Sequence, residues 1–135
     1  MKDLSIYFKN EFGDIECSAG HIGNQIHKSI SNQFIEPVEN SIALIFVPEY
    51  RNSEVGENYS EWILDFKKSF YKLFPGEWHT AIHDLGEIAP GHSVQDTYIA
   101  LKDVVTELVK NNIFPIVIGG SQDLSFPIYQ AYENL

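Results

Sequence analysis

The chain has 135 residues, of which 44% are hydrophobic and 21% charged, an ordinary globular balance that allows one domain with a real core. Nine Phe, seven Tyr and two Trp make that core bulky. A formal net charge of −10 speaks against nucleic acid and anionic membrane surfaces as partners.

Cys17 stands alone, so no internal disulfide forms, in agreement with a cytoplasmic location. The start, Met1-Lys-Asp-Leu-Ser-Ile-Tyr-Phe-Lys, has an early acid and no continuous apolar core, unlike a signal peptide. No apolar run is long enough to span a bilayer.

Residues 1–40 are the least legible and read as an N-terminal extension lying on the outside of a sheet. Leu4, Ile6 and Phe8 alternate with polar neighbours, a short strand signal. Phe12-Gly13-Asp14 reads as a turn. The domain proper is expected over 41–135.

Its first strand is Ile42 to Val47, ended by Pro48. The run is continuous rather than alternating, which predicts cover on both faces. The polar loop from Glu49 to Asn58 follows, and Arg51 within it either holds an anionic group or pairs with Glu49 or Glu54. Ser60 is placed to cap a helix whose apolar face carries Ile63, Phe66, Phe70, Leu73 and Phe74 before Pro75-Gly76 stops it. Lys67, Lys68 and Lys72 read as its solvated side.

Thr80 to Gly86 reads as a second strand and turn, with its exit loop over 84–92. Ser93 and Asp96 have capping-box spacing, and Tyr98, Leu101, Val105, Leu108 and Val109 share one face of the helix behind them. That helix is expected to reach about Lys110. Phe114-Pro-Ile-Val-Ile-Gly-Gly-Ser-Gln-Asp-Leu-Ser125 then reads as a strand, a glycine turn and the start of a last helix running to about Glu133. Ile116, Val117 and Ile118 suit a strand covered on both faces. Pro127 is acceptable in the first turn of that helix.

Strand and helix thus alternate three times, which argues for a parallel sheet with helices on its faces. All three strand exits are expected on one rim, where open α/β sheets bind ligands. Arg51 and Ser121 are the candidate substrate contacts there. Ser121 has no base partner in the sequence, so no nucleophile is assigned. Gln122 and Asp123 either cap the last helix or serve the site.

Five histidines, His21, His27, His79, His83 and His92, show no zinc spacing. Gly119-Gly120 has neither the lysine nor the longer glycine pattern of a phosphate loop. Cys17 reads as an inert small residue rather than a catalytic thiol. A three-strand fragment of a larger parallel sheet leaves an edge strand unprotected, so self-association is expected.

The strand over 42–48, then Ala81-Ile-His-Asp-Leu-Gly-Glu-Ile88, then Pro115-Ile-Val-Ile-Gly-Gly-Ser-Gln-Asp-Leu-Ser125 together resemble the N-terminal half of the ureohydrolase family: arginases, agmatinases and formimidoylglutamases. The resemblance covers roughly residues 41–135. It implies a three-layer α/β/α fold, a small-molecule substrate and a binuclear manganese centre. There a metal-bridging hydroxide attacks a guanidinium or formimino carbon. Gln122 takes the position of the family's first His ligand, Ser121 that of its Asp and Asp123 that of its Ser. The family's Asp-x-His-x-Asp and later Asp-x-Asp motifs do not occur in the chain. The expectation is therefore the front part of a ureohydrolase-like hydrolase, inactive alone and binding no manganese by itself. The alternative is a binding or scaffold domain that kept the fold and lost the metals.

Overall fold

The computed structural model of the chain describes residues 1–54 and 61–133. Ser60, expected as a helix cap, lies outside the described residues. The strands are β1 (Phe8–Lys9), β2 (His27–Lys28), β3 (Ile42–Val47), β4 (Ile82–Ile88) and β5 (Phe114–Gly119). The helices are α1 (Glu61–Phe70), α2 (Val94–Lys110) and α3 (Ser125–Tyr132). One sheet holds all five strands in the order β1-β4-β3-β5, with β2 also on β4. β3 pairs in parallel with both β4 and β5.

β3 is the centre of the sheet, and its continuous apolar run serves both faces. Ala43, Ile45 and Val47 pack with Leu101, Val105 and Leu108 of α2. Leu44 and Phe46 pack with Ile63 of α1 and with Tyr71. The layers are therefore α1, the sheet, and α2 with α3, an α/β/α arrangement. α2 begins as its sequence demands. Ser93 Oγ accepts the Asp96 N–H at 3.2 Å, and Asp96 Oδ2 accepts the Ser93 N–H at 2.8 Å.

Four expectations change. First, Gly86 does not end β4. Its φ of +93° forms a bulge, where β3 and β4 shift register between Leu44 and Ile45, and the strand continues to Ile88. A Cβ there would meet Asn10 Oδ1 at 1.6 Å, so only glycine admits the Asn10 side chain.

Second, Lys67 is buried, not solvated. Its ammonium sits 2.9 Å from Asp84 Oδ2, and a buried carboxylate needs such a partner. α1 consequently turns Lys67 inward and ends at Phe70, leaving Leu73 and Phe74 exposed.

Third, β5 is not covered on both faces. It lies at the sheet edge, with Phe114 64% and Ile116 37% exposed. Pro115 is tolerated there for a geometric reason. Phe114 donates its N–H to Ser41 O at 2.9 Å. Residues of a parallel ladder alternate in the side to which they bond, so the Pro115 nitrogen faces the open side.

Fourth, the strand signal at Leu4, Ile6 and Phe8 is mostly a short 3-10 turn over Ser5–Tyr7, and Ile6 is exposed. Residues 1–35 nonetheless have a clear place. β1 runs antiparallel along Glu87 and Ile88, β2 runs parallel along His83 and Asp84, and Ser29 donates its N–H to Asp84 O. Together they line the outer edge of β4.

Candidate functional site

The loops leaving β3, β4 and β5 meet at one rim, and Glu49 is the residue that ties them. Its side chain is 1% exposed. Oε1 accepts Arg51 Nε at 2.9 Å and the Arg51 N–H at 3.1 Å. Oε2 accepts Arg51 Nη2 at 2.6 Å and the Thr97 hydroxyl at 2.9 Å. These bonds to a charged fork hold the Glu49 carboxyl below its ordinary range, despite the opposing effect of burial. The Glu49 carbonyl oxygen accepts both the Ser121 N–H at 2.9 Å and the Ser121 hydroxyl at 3.1 Å.

Arg51 carries the connection to the β4 exit. Nη1 donates to His92 O at 2.8 Å and Nη2 to Gly91 O at 3.0 Å. Of the two sequence readings of Arg51, the pairing with Glu49 is present. The partner, however, is a buried acid rather than a surface one. The guanidinium stitches two loops together with most of its donors.

The β5 exit needs its glycines for room. A Cβ on Gly120 would lie 2.2 Å from Glu49 O, so the backbones of the first and third exits touch there. Ser121 is buried and its hydroxyl fastens this turn. Gln122 is exposed on the rim. Neither Gln122 nor Asp123 caps α3: a 3-10 turn over Gln122–Leu124 intervenes. Asp123 Oδ2 instead accepts the Tyr98 hydroxyl and, at 3.0 Å, Asn52 Nδ2. Arg51, Ser121 and Gln122 are thus brought to one rim, as the alternation of elements implied.

The sequence reading missed Glu49 as the hub, and also Thr97 and Tyr98. The available signal was a glutamate directly after a strand-ending proline and two residues before an arginine. Nothing in the sequence marks Thr97, whose hydroxyl also accepts the Gly91 N–H at 2.9 Å.

A second polar cluster lies on the α1 face of β4. Asp84 accepts Lys67 Nζ, the Tyr71 hydroxyl and, at 2.9 Å on Oδ1, the Gly86 N–H. Burial, with the Asp84 charge alongside, pushes the Tyr71 phenol far up, so it stays a donor. Glu87 is buried nearby, and its Oε1 finds no hydrogen-bond partner among the described residues. Burial raises the Glu87 carboxyl, and Lys9 and Lys67 only partly oppose it. The Tyr50 phenol is pushed up to about 12 by burial, with the Glu87 charge adding to it. A cavity of about 10 Å³ beside Glu87, Asn10 and Lys67 has the size of one water, too small for a substrate.

No family model matches the sequence, and no curated protein does. The fold, however, has a solved counterpart. The crystal structure of Trypanosoma cruzi formiminoglutamase with Mn2+ superposes with a TM-score of 0.54 at 20% identity, covering 69% of this chain. The chain spans 34% of that protein's length. The α/β fold expected from the ureohydrolase resemblance is therefore present.

Whether these residues suit manganese is a question of donors. The Glu49 carboxylate is taken by Arg51 and Thr97, and Asp123 Oδ2 by Tyr98 and Asn52. Gln122 offers a neutral amide where imidazole or carboxylate is wanted. No group of three or more His, Cys, Asp or Glu side chains among the described residues could hold a metal ion. The described residues of the rim do not fit a manganese centre. No helix among the described residues is long and apolar enough to cross a membrane.

Proposed function

We propose that this chain is the N-terminal α/β unit of a cytoplasmic ureohydrolase-like protein that hydrolyses a guanidino or formimino C–N bond. We further propose that alone it neither binds manganese nor turns over substrate. The observation that carries the reading is the fold shared with a formiminoglutamase, with Gln122 at the rim where three strand exits converge. In such hydrolases manganese supplies the activated hydroxide. No step of that kind is assigned to the residues of this chain.

Their part is to build one wall of the site. Arg51, 39% exposed at its side chain, has a donor left on Nη1 beyond its bond to His92 O, enough to meet a substrate carboxylate. Ser121 acts through the turn it fastens to Glu49, which sets the height of Gln122 on the rim.

A second reading, a binding or scaffold domain without chemistry, is favoured by the same locked Glu49–Arg51 pair and the amide at Gln122. Two measurements test the proposal. Calorimetric titration of the chain with manganese is expected to show no stoichiometric binding. Incubation with manganese and arginine, agmatine or formiminoglutamate is expected to release no urea, ammonia or formamide. Tight binding at one site, or product release, overturns the claim of inactivity. The coding sequence following Leu135 separates the two readings: an Asp-x-His-x-Asp motif supports the hydrolase, and its lack supports the scaffold.

A further inference from the structure

Where the N-terminal segment meets β4 and α1, the cavity of about 10 Å³ has a wall of mixed polarity, with Asn10, Lys28, Ser29, Lys67 and Glu87 all facing it. Glu87 is 6% exposed, and its Oε1 has no hydrogen-bond partner among the described residues. A buried carboxyl oxygen left in that state is costly, so a partner is wanted there.

The other polar groups of the wall have capacity to spare. Lys28 Nζ donates to Asp14 Oδ1 at 3.1 Å, which uses one of the three donors of an ammonium. Ser29 Oγ accepts the Ile35 N–H at 2.9 Å, which leaves its own hydroxyl hydrogen to donate. Asn10 Nδ2 reaches Leu85 O at 3.4 Å, a long bond that leaves the amide poorly satisfied.

Charge then decides what the cavity takes. A cation would face Lys28 and Lys67, and an anion would face Glu87 and Asp14. A neutral molecule that both donates and accepts meets neither objection. The volume limits it to the size of one water.

We propose that this cavity is the binding site of one structural water. It donates to the Glu87 carboxyl and accepts from Lys28 or Ser29, and so bridges the N-terminal segment to β4. The groups that form the site come from residues 10–30 and 67–87, at the edge of the sheet away from β5. The inference stands apart from the proposed activity and fails independently of it.

Two measurements on the whole chain test it. A crystal structure fine enough to show ordered water is expected to place one within about 3.2 Å of a Glu87 carboxyl oxygen, with a second contact to Lys28, Ser29 or Asn10. In solution, magnetic relaxation dispersion of water oxygen counts the waters held longer than the protein tumbles. Glu87→Leu, which removes the acceptor, is expected to hold one such water fewer than wild type. Glu87→Gln, which keeps one, is expected to hold the same number as wild type. If Glu87→Leu does not fold, the wild-type density and Glu87→Gln decide. A wild-type cavity without water density overturns the proposal. So does a direct bond from a protein group to Glu87 Oε1, density that refines as an ion, an unchanged count in folded Glu87→Leu, or a lower count in Glu87→Gln.

Discussion

The two long edges of the sheet are finished in opposite ways. The outer edge of β4 is lined by residues 1–35, with β2 along its first half, β1 along its last, and Asn10 filling the bulge at Gly86 between them. Among the described residues no strand lies beside the outer edge of β5, and Pro115 blunts it. The covered edge encloses polar chemistry: Asp84, Lys67, Tyr71 and Glu87. The bare edge presents apolar side chains and hardly any charge. A buried charge must be partnered inside the fold, whereas an exposed apolar strip costs the fold little.

That contrast predicts where substitutions hurt. The largest effect is expected at Lys67→Met. It leaves Asp84 buried beside Glu87 without its counter-charge, a loss of about 3–5 kcal/mol in unfolding free energy by chemical denaturation. Next comes Gly86→Ala, which forces a side chain into a left-handed backbone and into Asn10. It should cost about 1–3 kcal/mol and expose the β1 amides to hydrogen exchange. Arg51→Ala, at the rim, strips the buried Glu49 of its fork and should cost about 1–3 kcal/mol.

Glu87→Gln works in the opposite direction. A carboxyl raised by folding binds its proton more tightly in the native state, so stability falls as pH rises from the ordinary glutamate value through the native one. The amide removes that loss. The variant should melt a few degrees higher than wild type at neutral pH and match it more closely in acid. The smallest effect is expected on the bare edge: Phe114→Ser should change stability by no more than about 0.5 kcal/mol. A loss there as large as that of Lys67→Met would end the contrast between the edges.

The covered edge also has a response to acid. His83 is buried and stacks on His27 with ring centroids 4.8 Å apart. Burial, and after it the His27 charge, lowers the His83 imidazole below its ordinary value. Stability is therefore expected to fall as pH drops through about 6.5 and to keep falling until the native value is passed. His83→Gln should flatten that slope in thermal melts taken between neutral and mildly acidic pH.

Much of the central fold was legible because its signals are local. The β3 run, the Ser93–Asp96 box and the glycines after β5 each announce their element within a few residues. The rim was legible through alternation alone: three parallel strands must leave the sheet at the same end. What stayed hidden depends on distant partners. Lys67 looked solvated because Asp84, 17 residues away, was not visibly buried. Residues 1–35 follow no period because they are shaped by the β4 edge they cover, with short stretches such as His27–Lys28 bonding only there. β5 looked central because its three β-branched residues fit two covered faces, and composition carries no record of which strand ends the sheet.

Asp84 has one more consequence. Its main chain receives the Ser29 N–H, and its carboxylate holds Lys67 and Tyr71. A single residue thus clasps the N-terminal segment from one side and the end of α1 from the other. Deuterium uptake at the Ser29 amide should rise and fall in step with that of the Tyr71 amide, so these two stretches, far apart along the chain, are expected to come loose together.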